Sequence, residues 1–152
     1  MADIVFSRTG KVNPNGSIPG TLTIGDSTWP TIERGASFTF VRKGNYELLM
    51  THKVSGRRVK CLCFHEDAAI STHLIHDALG DNHLWLAGCI APGRSAHRNG
   101  IKDSATAMSE VFKALGGFTE WKKCTIEVQN NIRGTETKAE WLARRKRRRT
   151  GR

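Results

Sequence analysis

Short apolar runs, each closed by turn residues, most constrain what this chain can fold into. Ile4–Arg8 and 20–24 are strand candidates, and a glycine follows within two positions of each run. Apolar and polar residues alternate in the second run, 20–24. Two longer runs, 46–54 and 57–65, are joined only by Ser55 and Gly56, which is typical of a hairpin. A period of two indicates strands with one buried face. Further strands are expected at 29–32, 71–76, 84–90 and 124–128.

The apolar period changes after residue 103. Five apolar residues between 103 and 115 fall on one face of a helix, and Gly116 and Gly117 supply its end. Either Asp103 or Ser104 is expected to cap the first amides. A second helix is expected from about 135 to 149, at the C-terminal side of the last strand. The five residues of the helical face are Ala107, Met108, Val111, Phe112 and Leu115.

The chain is predicted to be a mainly β (α+β) protein of mostly antiparallel strands with one packed helix. Its 152 residues suffice for one domain, which we place at 1–130, followed by a basic tail at 131–152 that is helical or disordered. The net charge is +10, but seven of the 24 basic residues lie in 144–152, so the preceding residues carry only +3. The positive charge therefore belongs mostly to the tail.

We expect neither a targeting signal nor a membrane span from the sequence. The first ten residues have no basic start and no long apolar stretch, so we expect no secretion signal. No apolar run approaches the ~18–20 residues that a membrane span needs. We expect synthesis in the cytoplasm.

Four cysteines are too few and too irregularly spaced for a disulfide scaffold. Cys61, Cys63 and His65 alternate along one strand, but zinc sites more often use two residues between cysteines. We therefore expect core packing at this strand, and neither a metal nor another cofactor.

His76 and Cys89 are the residues that could carry covalent chemistry. Each stands at the end of a strand-like run, and Gly88 directly precedes the cysteine, where a missing side chain would let a substrate carbonyl approach. A nucleophilic thiol needs a group that takes its proton, which His76 could do. The alternative is that Cys89 is a small buried apolar residue and His76 a structural one.

Five short motifs in order resemble an uncharacterised domain family that is common in phage genomes and prophages. The resemblance covers about residues 4–128 and implies a phage-encoded protein, with a virion or lysis function and other phage structural proteins as partners. The motifs are Thr31-Ile32-Glu33, Gly44-x-Tyr46, Leu74-Ile75-His76, Gly88-Cys89-Ile90 and Ile101-x-Asp103-Ser104-x-x-Ala107.

The third and fourth motifs also resemble the catalytic domain of L,D-transpeptidases, which act on peptidoglycan through a cysteine acyl-enzyme. This resemblance implies that Cys89 is the nucleophile, His76 the base and Gly88 the residue before the nucleophile. The chain has Asp77, Leu86 and Ala91 where those enzymes usually have Gly, Ser or Thr, and Arg. Three possibilities follow: a hydrolase, an altered specificity, or an inactive site kept as a structural module.

Several side chains are further candidates for this site. His83 lies in the loop before Cys89 and could reach it, whereas His73, three residues before His76, is expected on the other face of a strand and to be structural. Glu33 could bind substrate or orient a histidine, or could pair with a surface arginine. Arg94 and Arg98, with His97 between them, lie just after Cys89 and could bind the carboxylates of peptidoglycan peptides.

The tail is a candidate polyanion-binding segment. It could contact nucleic acid through phosphates, or an anionic envelope, or an acidic partner, and it could also be a solubilising end. The alternative to a cell-wall enzyme is therefore a non-enzymatic virion or assembly protein that binds nucleic acid through this tail. Its basic residues are Arg144, Arg145, Lys146, Arg147, Arg148 and Arg149.

Overall fold

The computed structural model describes residues 2–9, 12–34, 40–55, 57–64, 73–78, 81, 86 and 89–130. Within these residues it contains ten strands and one helix. The strands are β1 (Ile4–Arg8), β2 (Ile18–Ile24), β3 (Ser27–Glu33), β4 (Gly44–Ser55), β5 (Arg57–Phe64), β6 (Leu74–Ile75), β7 (Ala91–Pro92), β8 (Ser95–His97), β9 (Gly100–Lys102) and β10 (Lys123–Val128), and the helix is α1 (Ser104–Ala114).

Eight strands form one sheet in the order β6-β5-β4-β10-β1-β2-β3-β7, and β8 and β9 form a separate hairpin. The strand pairs are antiparallel except β1 with β10, which run parallel. The described residues therefore fold as the predicted single, mostly antiparallel β domain, and they contain one helix. The hairpin of β4 and β5 is confirmed, with Leu48 paired to Phe64 and Ser55 to Arg57.

The two edge strands of the sheet approach each other through one parallel bridge, between Ile75 of β6 and Ile90, which directly precedes β7. The amide of His76 donates to the Ile90 carbonyl (3.1 Å), and the amide of Ile90 donates to the Leu74 carbonyl (2.9 Å). We call this two-bond contact the seam. It matters for function because it joins the segment of His76 to the segment of Cys89.

Two buried clusters lie on opposite faces of the sheet. The larger cluster contains the buried face of α1 and the side chains of Phe6, Leu48, Ile75 and Ile90. The smaller cluster contains Ile32 and Ala91, which pair across β3 and β7, together with Cys89. Because neighbouring residues of a strand point to opposite faces, Ile75 and Ile90 face the larger cluster while the residues beside them face the smaller one.

The start of α1 differs from the prediction. Asp103 holds the N-cap position in a left-handed conformation (φ 58°) and makes no side-chain cap hydrogen bond. The carboxylate of Asp81 caps the helix instead, accepting from the Ser104 amide (2.9 Å) and the Asp103 amide (3.2 Å). The predicted glycine end is confirmed, because the Gly117 amide donates to the Phe112 carbonyl (2.8 Å).

Two predicted strands are shorter than expected. The run 71–76 is a strand only at Leu74–Ile75, with residues 71 and 72 outside the described part, and the described residues of 84–90 contribute one bridge, at Ile90. The predicted helix at 135–149 lies outside the described residues. In the part of the chain that the structure describes, no helix is both long and apolar enough to cross a membrane.

Candidate active site

The seam brings the segments of His76 and Cys89 side by side. The bridge pairs Ile75 with Ile90 in parallel, so the same register sets Leu74 opposite Cys89 and His76 opposite Ala91. Paired residues point to the same face of a sheet, so His76 and Cys89 share the face that carries the smaller cluster. The packing agrees, since Leu74, Cys89 and Ala91 all belong to that cluster.

His76 and Cys89 are diagonal neighbours across the seam. A strand spacing of about 4.8 Å and a two-residue rise of about 6.6 Å separate their Cβ atoms by roughly 8 Å in ideal geometry. An imidazole can span most of that distance towards a cysteine sulfur. A thiol and an imidazole on one face are the two groups that nucleophilic acyl transfer requires.

The backbone carbonyl of the next residue, Asp77, holds the imidazole of His76 in one tautomer. Its Nδ1 lies 2.6 Å from the carbonyl oxygen of Asp77, in a buried setting. A carbonyl oxygen can only accept a hydrogen bond, so Nδ1 carries the hydrogen and the lone pair of the neutral ring is on Nε2. His76 therefore has Nε2 as its basic nitrogen, the form that a general base needs.

Cys89 is a buried thiol in apolar surroundings. Its side chain is 6% exposed, so a substrate reaches the sulfur only if the surrounding segment opens. The cluster around it is composed of Ile32, Ala78, Leu86, Ala91 and Ile101, with Leu74 packed at its edge. Leu86, which stands where transpeptidases usually have a hydroxyl, is completely buried in this cluster.

Glu33 forms an ion pair with Arg8. Both carboxylate oxygens accept hydrogen bonds from the guanidinium, at 2.7 Å from Nε and 2.9 Å from Nη2, and both residues are buried. The expectation of a surface arginine is therefore wrong, because the partner is a buried one. Glu33 follows Ile32, so its side chain leaves the sheet on the face opposite to His76 and Cys89. The structure thus does not bring Glu33 to the other candidate residues.

The two candidate substrate arginines lie in and beside the exposed hairpin of β8 and β9. Arg94 forms an ion pair with Glu110 of α1 (3.4 Å), with its side chain 55% exposed. Arg98 is exposed at the turn of the hairpin, next to the exposed His97. Both arginines follow β7, so they are covalently close to the Cys89 segment and remain accessible to a ligand in solvent.

Two cysteines outside the seam, Cys63 and Cys124, have raised pKa values. Burial raises the pKa of the Cys63 thiol, and burial together with the negative charge of Asp3 raises that of Cys124 to about 11. Among the described residues, no three His, Cys, Asp or Glu side chains gather in a way that could hold a metal ion. His65, the third member of the alternating strand pattern, lies outside those residues.

Several predicted residues lie outside the described part of the chain. They are Gly88 and His83 of the catalytic set and all six tail residues, Arg144, Arg145, Lys146, Arg147, Arg148 and Arg149. His73 is described and buried, and its carbonyl accepts a hydrogen bond from the Phe64 amide (3.1 Å).

Sequence reasoning missed Asp81 and the buried role of Ser104. Asp81 reaches the start of α1 across more than twenty residues, and no local pattern signals such a contact. Ser104 is predicted only as a helix cap, whereas its hydroxyl is buried against two other segments. Comparison of the chain with protein-family models, with curated proteins and with solved structures gave no match.

Proposed function

We propose that this chain is a phage-type, cysteine-dependent enzyme that acts on the stem peptides of bacterial peptidoglycan, with L,D-transpeptidase-like or peptidase chemistry. The observation that carries the proposal is the seam, which joins the segments of His76 and Cys89 so that the two residues share one face. The order of motifs around these residues supports the substrate class and a role in entry or lysis. The exposed Arg94 and Arg98 fit a substrate that carries carboxylates.

The proposed reaction runs through a thioester. Nε2 of His76 takes the proton of the Cys89 thiol, and the sulfur bonds to a carbonyl carbon of the stem peptide. The tetrahedral adduct collapses when its C–N bond breaks, and the imidazolium gives its proton to the leaving amine. A water or a second amine then attacks the thioester, gives a proton to His76, and releases the Cys89 sulfur.

The first test measures the reactivity of Cys89 against pH. The full-length protein is alkylated with a small reagent, and the rate at each cysteine is read from peptide masses. Cys63 and Cys124 serve as internal references, since their raised pKa values keep them protonated near pH 7. We expect the thiol pKa of Cys89 to lie below that of a free cysteine, and to rise in the His76→Ala variant. A slow, His76-independent thiol would contradict the proposal.

The second test looks for the acyl-enzyme. The protein is incubated with peptidoglycan stem peptides, and its intact mass is followed with time. We expect a mass gain equal to the acyl part of the peptide in the wild type and none in Cys89→Ala. A matched Cys63→Ala variant should acylate like the wild type, because its sulfur is on another strand. Acylation of Cys89→Ala to the same extent would place the chemistry elsewhere.

A non-enzymatic role is favoured by one observation, the burial of Cys89 among apolar side chains. In that case the domain would be a virion or assembly component, and the basic tail would bind nucleic acid or another polyanion. Deleting 144–152 would then abolish salt-sensitive retention on DNA. A Cys89→Ala variant would lower stability by about 1–2 kcal/mol without removing any reaction. Unchanged DNA retention of the shortened chain would argue against the tail's part in this role.

A further inference from the structure

The hydroxyl of Ser104 connects the segment after His76 with the segment after Cys89. Ser104 is the first residue of α1 and is completely buried. Its Oγ accepts a hydrogen bond from the Ala78 amide (2.8 Å) and donates one to the Pro92 carbonyl (2.7 Å). An amide can only donate and a carbonyl can only accept, so the direction of both hydrogen bonds is fixed.

The Ala78 amide belongs to the same peptide unit as the Asp77 carbonyl. That carbonyl accepts the hydrogen bond from Nδ1 of His76 at 2.6 Å. Because a peptide unit is planar and rigid, a hydroxyl that fixes its N–H also fixes the direction of its C=O. A continuous chain of hydrogen bonds therefore runs from Pro92 through Ser104 and the Asp77–Ala78 peptide to the imidazole of His76.

We propose that Ser104 is a positioning residue that orients His76 and holds it in the tautomer with hydrogen on Nδ1. Ser104 acts on His76 through the Asp77–Ala78 peptide. The catalytic consequence of this orientation rests on the proposed function, whereas the orientation itself does not. Pro92 lies three residues after Cys89, so the same hydroxyl ties together both sides of the seam.

Removing the hydroxyl leaves a specific defect. In Ser104→Ala the Ala78 amide and the Pro92 carbonyl lose their common partner in a buried place. The Asp77–Ala78 peptide then loses the hydrogen bond that fixes its N–H, so its carbonyl holds Nδ1–H of His76 less firmly. The imidazole can exchange between its two neutral tautomers, so a smaller fraction of molecules has the lone pair on Nε2. If the hydroxyl served only to stabilise the fold, its removal would leave the ratio of the two His76 tautomers unchanged.

The test is nitrogen NMR of the histidine side chains in the full-length protein at a pH where they are neutral. A His76→Gln variant assigns the His76 signals among those of the six histidines. We expect the wild type to show a protonated Nδ1 and an unprotonated Nε2 at His76. Ser104→Ala should shift these signals towards a mixture, and Ser104→Thr, which keeps a hydroxyl, should restore them.

A matched control is available in the same helix. Ser109 donates to the Ala105 carbonyl (3.3 Å) on the exposed side of α1, so Ser109→Ala should leave the His76 signals at their wild-type positions. Wild-type signals at His76 in Ser104→Ala would overturn the proposal. If Ser104→Ala does not fold, the NMR spectrum of the wild type still tests the proposal. A neutral wild-type His76 with its proton on Nε2 would overturn the proposal too.

Cys89 alkylation separates this inference from the proposed function. If both hold, Ser104→Ala slows alkylation of Cys89 at pH 7 by about 10-fold, the lower end of the effect that loss of an outer hydrogen-bond partner has at metal-bound histidines. If the proposed function fails, wild-type alkylation does not depend on His76, and the tautomer change in Ser104→Ala is still seen. If the inference fails, the His76 signals of Ser104→Ala stay at their wild-type positions while wild-type alkylation still depends on His76.

Discussion

At the scale of single residues, Arg8 and Glu33 form the most deeply buried ion pair among the described residues. The guanidinium of Arg8 also donates to the carbonyls of Val41 and Asn130, at 2.9 and 2.7 Å, and lies over the ring of Phe6. Arg8 therefore links β1 and β3 to two segments outside the sheet. Two buried charges of this kind are tolerable only when each satisfies the other.

Neutralising one partner should be costly. Glu33→Gln keeps the shape of the side chain but leaves the Arg8 charge buried without its counter-ion, so we expect a loss of about 3–5 kcal/mol in the free energy of unfolding. The double variant Arg8→Met with Glu33→Met should lose less than Glu33→Gln. Urea unfolding measures the wild type and both variants. A loss below about 1 kcal/mol in Glu33→Gln would contradict the importance of the pair.

Cys124 provides a prediction about alkaline pH. Its pKa is about 11 in the folded chain, against 9.0 for an unperturbed thiol, because burial and Asp3 disfavour the thiolate. The unfolded chain therefore loses this proton first as the pH rises, so the contribution is full below about pH 9 and is lost towards pH 11. Between these values the wild type should lose stability more steeply than Cys124→Ala. Denaturant unfolding at pH 8, 9, 10 and 11 tests this, and parallel curves would refute it.

The residues also show where sequence reasoning stops. The sequence predicts His76 and Cys89 as candidate residues because each stands at the end of an apolar run. The topology brings the segments of these two residues together. The sequence does not predict the partner of Glu33 or the residue that caps α1, because tertiary packing between distant segments determines both contacts. Such contacts leave no periodic trace in the sequence.

At the scale of elements, the long alternating strands were predictable and the short ones were not. β1, β2, β4 and β10 each alternate between buried and less buried residues over at least five positions, which is enough to define a buried face. β6 and β7 have two residues each, so their place in the sheet depends on pairing with longer neighbours. The two segments that carry the candidate site lie beside these short strands. Their geometry is therefore seen only in the structure.

The turn before β10 contains an unusual residue. Trp121 has a positive φ of 71° and is 65% exposed. Its amide donates to the Met50 carbonyl (2.8 Å), and the Met50 amide donates to the Lys122 carbonyl (2.8 Å). These two bonds hold the turn against β4 and keep a bulky residue in a conformation that favours glycine.

We expect Trp121→Gly to be more stable than Trp121→Ala by about 1 kcal/mol, because a side chain on a left-handed residue costs about 1–2 kcal/mol. Both variants lose the same indole contacts, so alanine is the matched control for the lost side chain. Thermal unfolding of the two proteins under the same conditions gives the difference. An alanine variant as stable as the glycine variant would show that the turn relaxes to another conformation.

At the scale of the whole molecule, the number of paired positions differs greatly from one pair of neighbouring segments to another. β4 and β5 pair through eight register positions, whereas the seam has one bridge and two hydrogen bonds. The candidate site thus lies at the least connected junction among the paired elements that the structure describes. Since Cys89 is 6% exposed, access to its sulfur requires the surrounding structure to open.

We predict that the seam opens locally while the rest of the sheet stays closed. Two hydrogen bonds resist separation less than a full ladder does, so the amides of His76 and Ile90 should exchange with solvent at a lower opening free energy than the amides of β4. Hydrogen exchange followed by NMR gives both values in one experiment. The alkylation rate of Cys89 should follow the opening of the Ile90 amide as temperature rises. If the seam amides exchanged only through global unfolding, the thiol would be closed to substrate in the folded protein, and the structural role of Cys89 would be favoured.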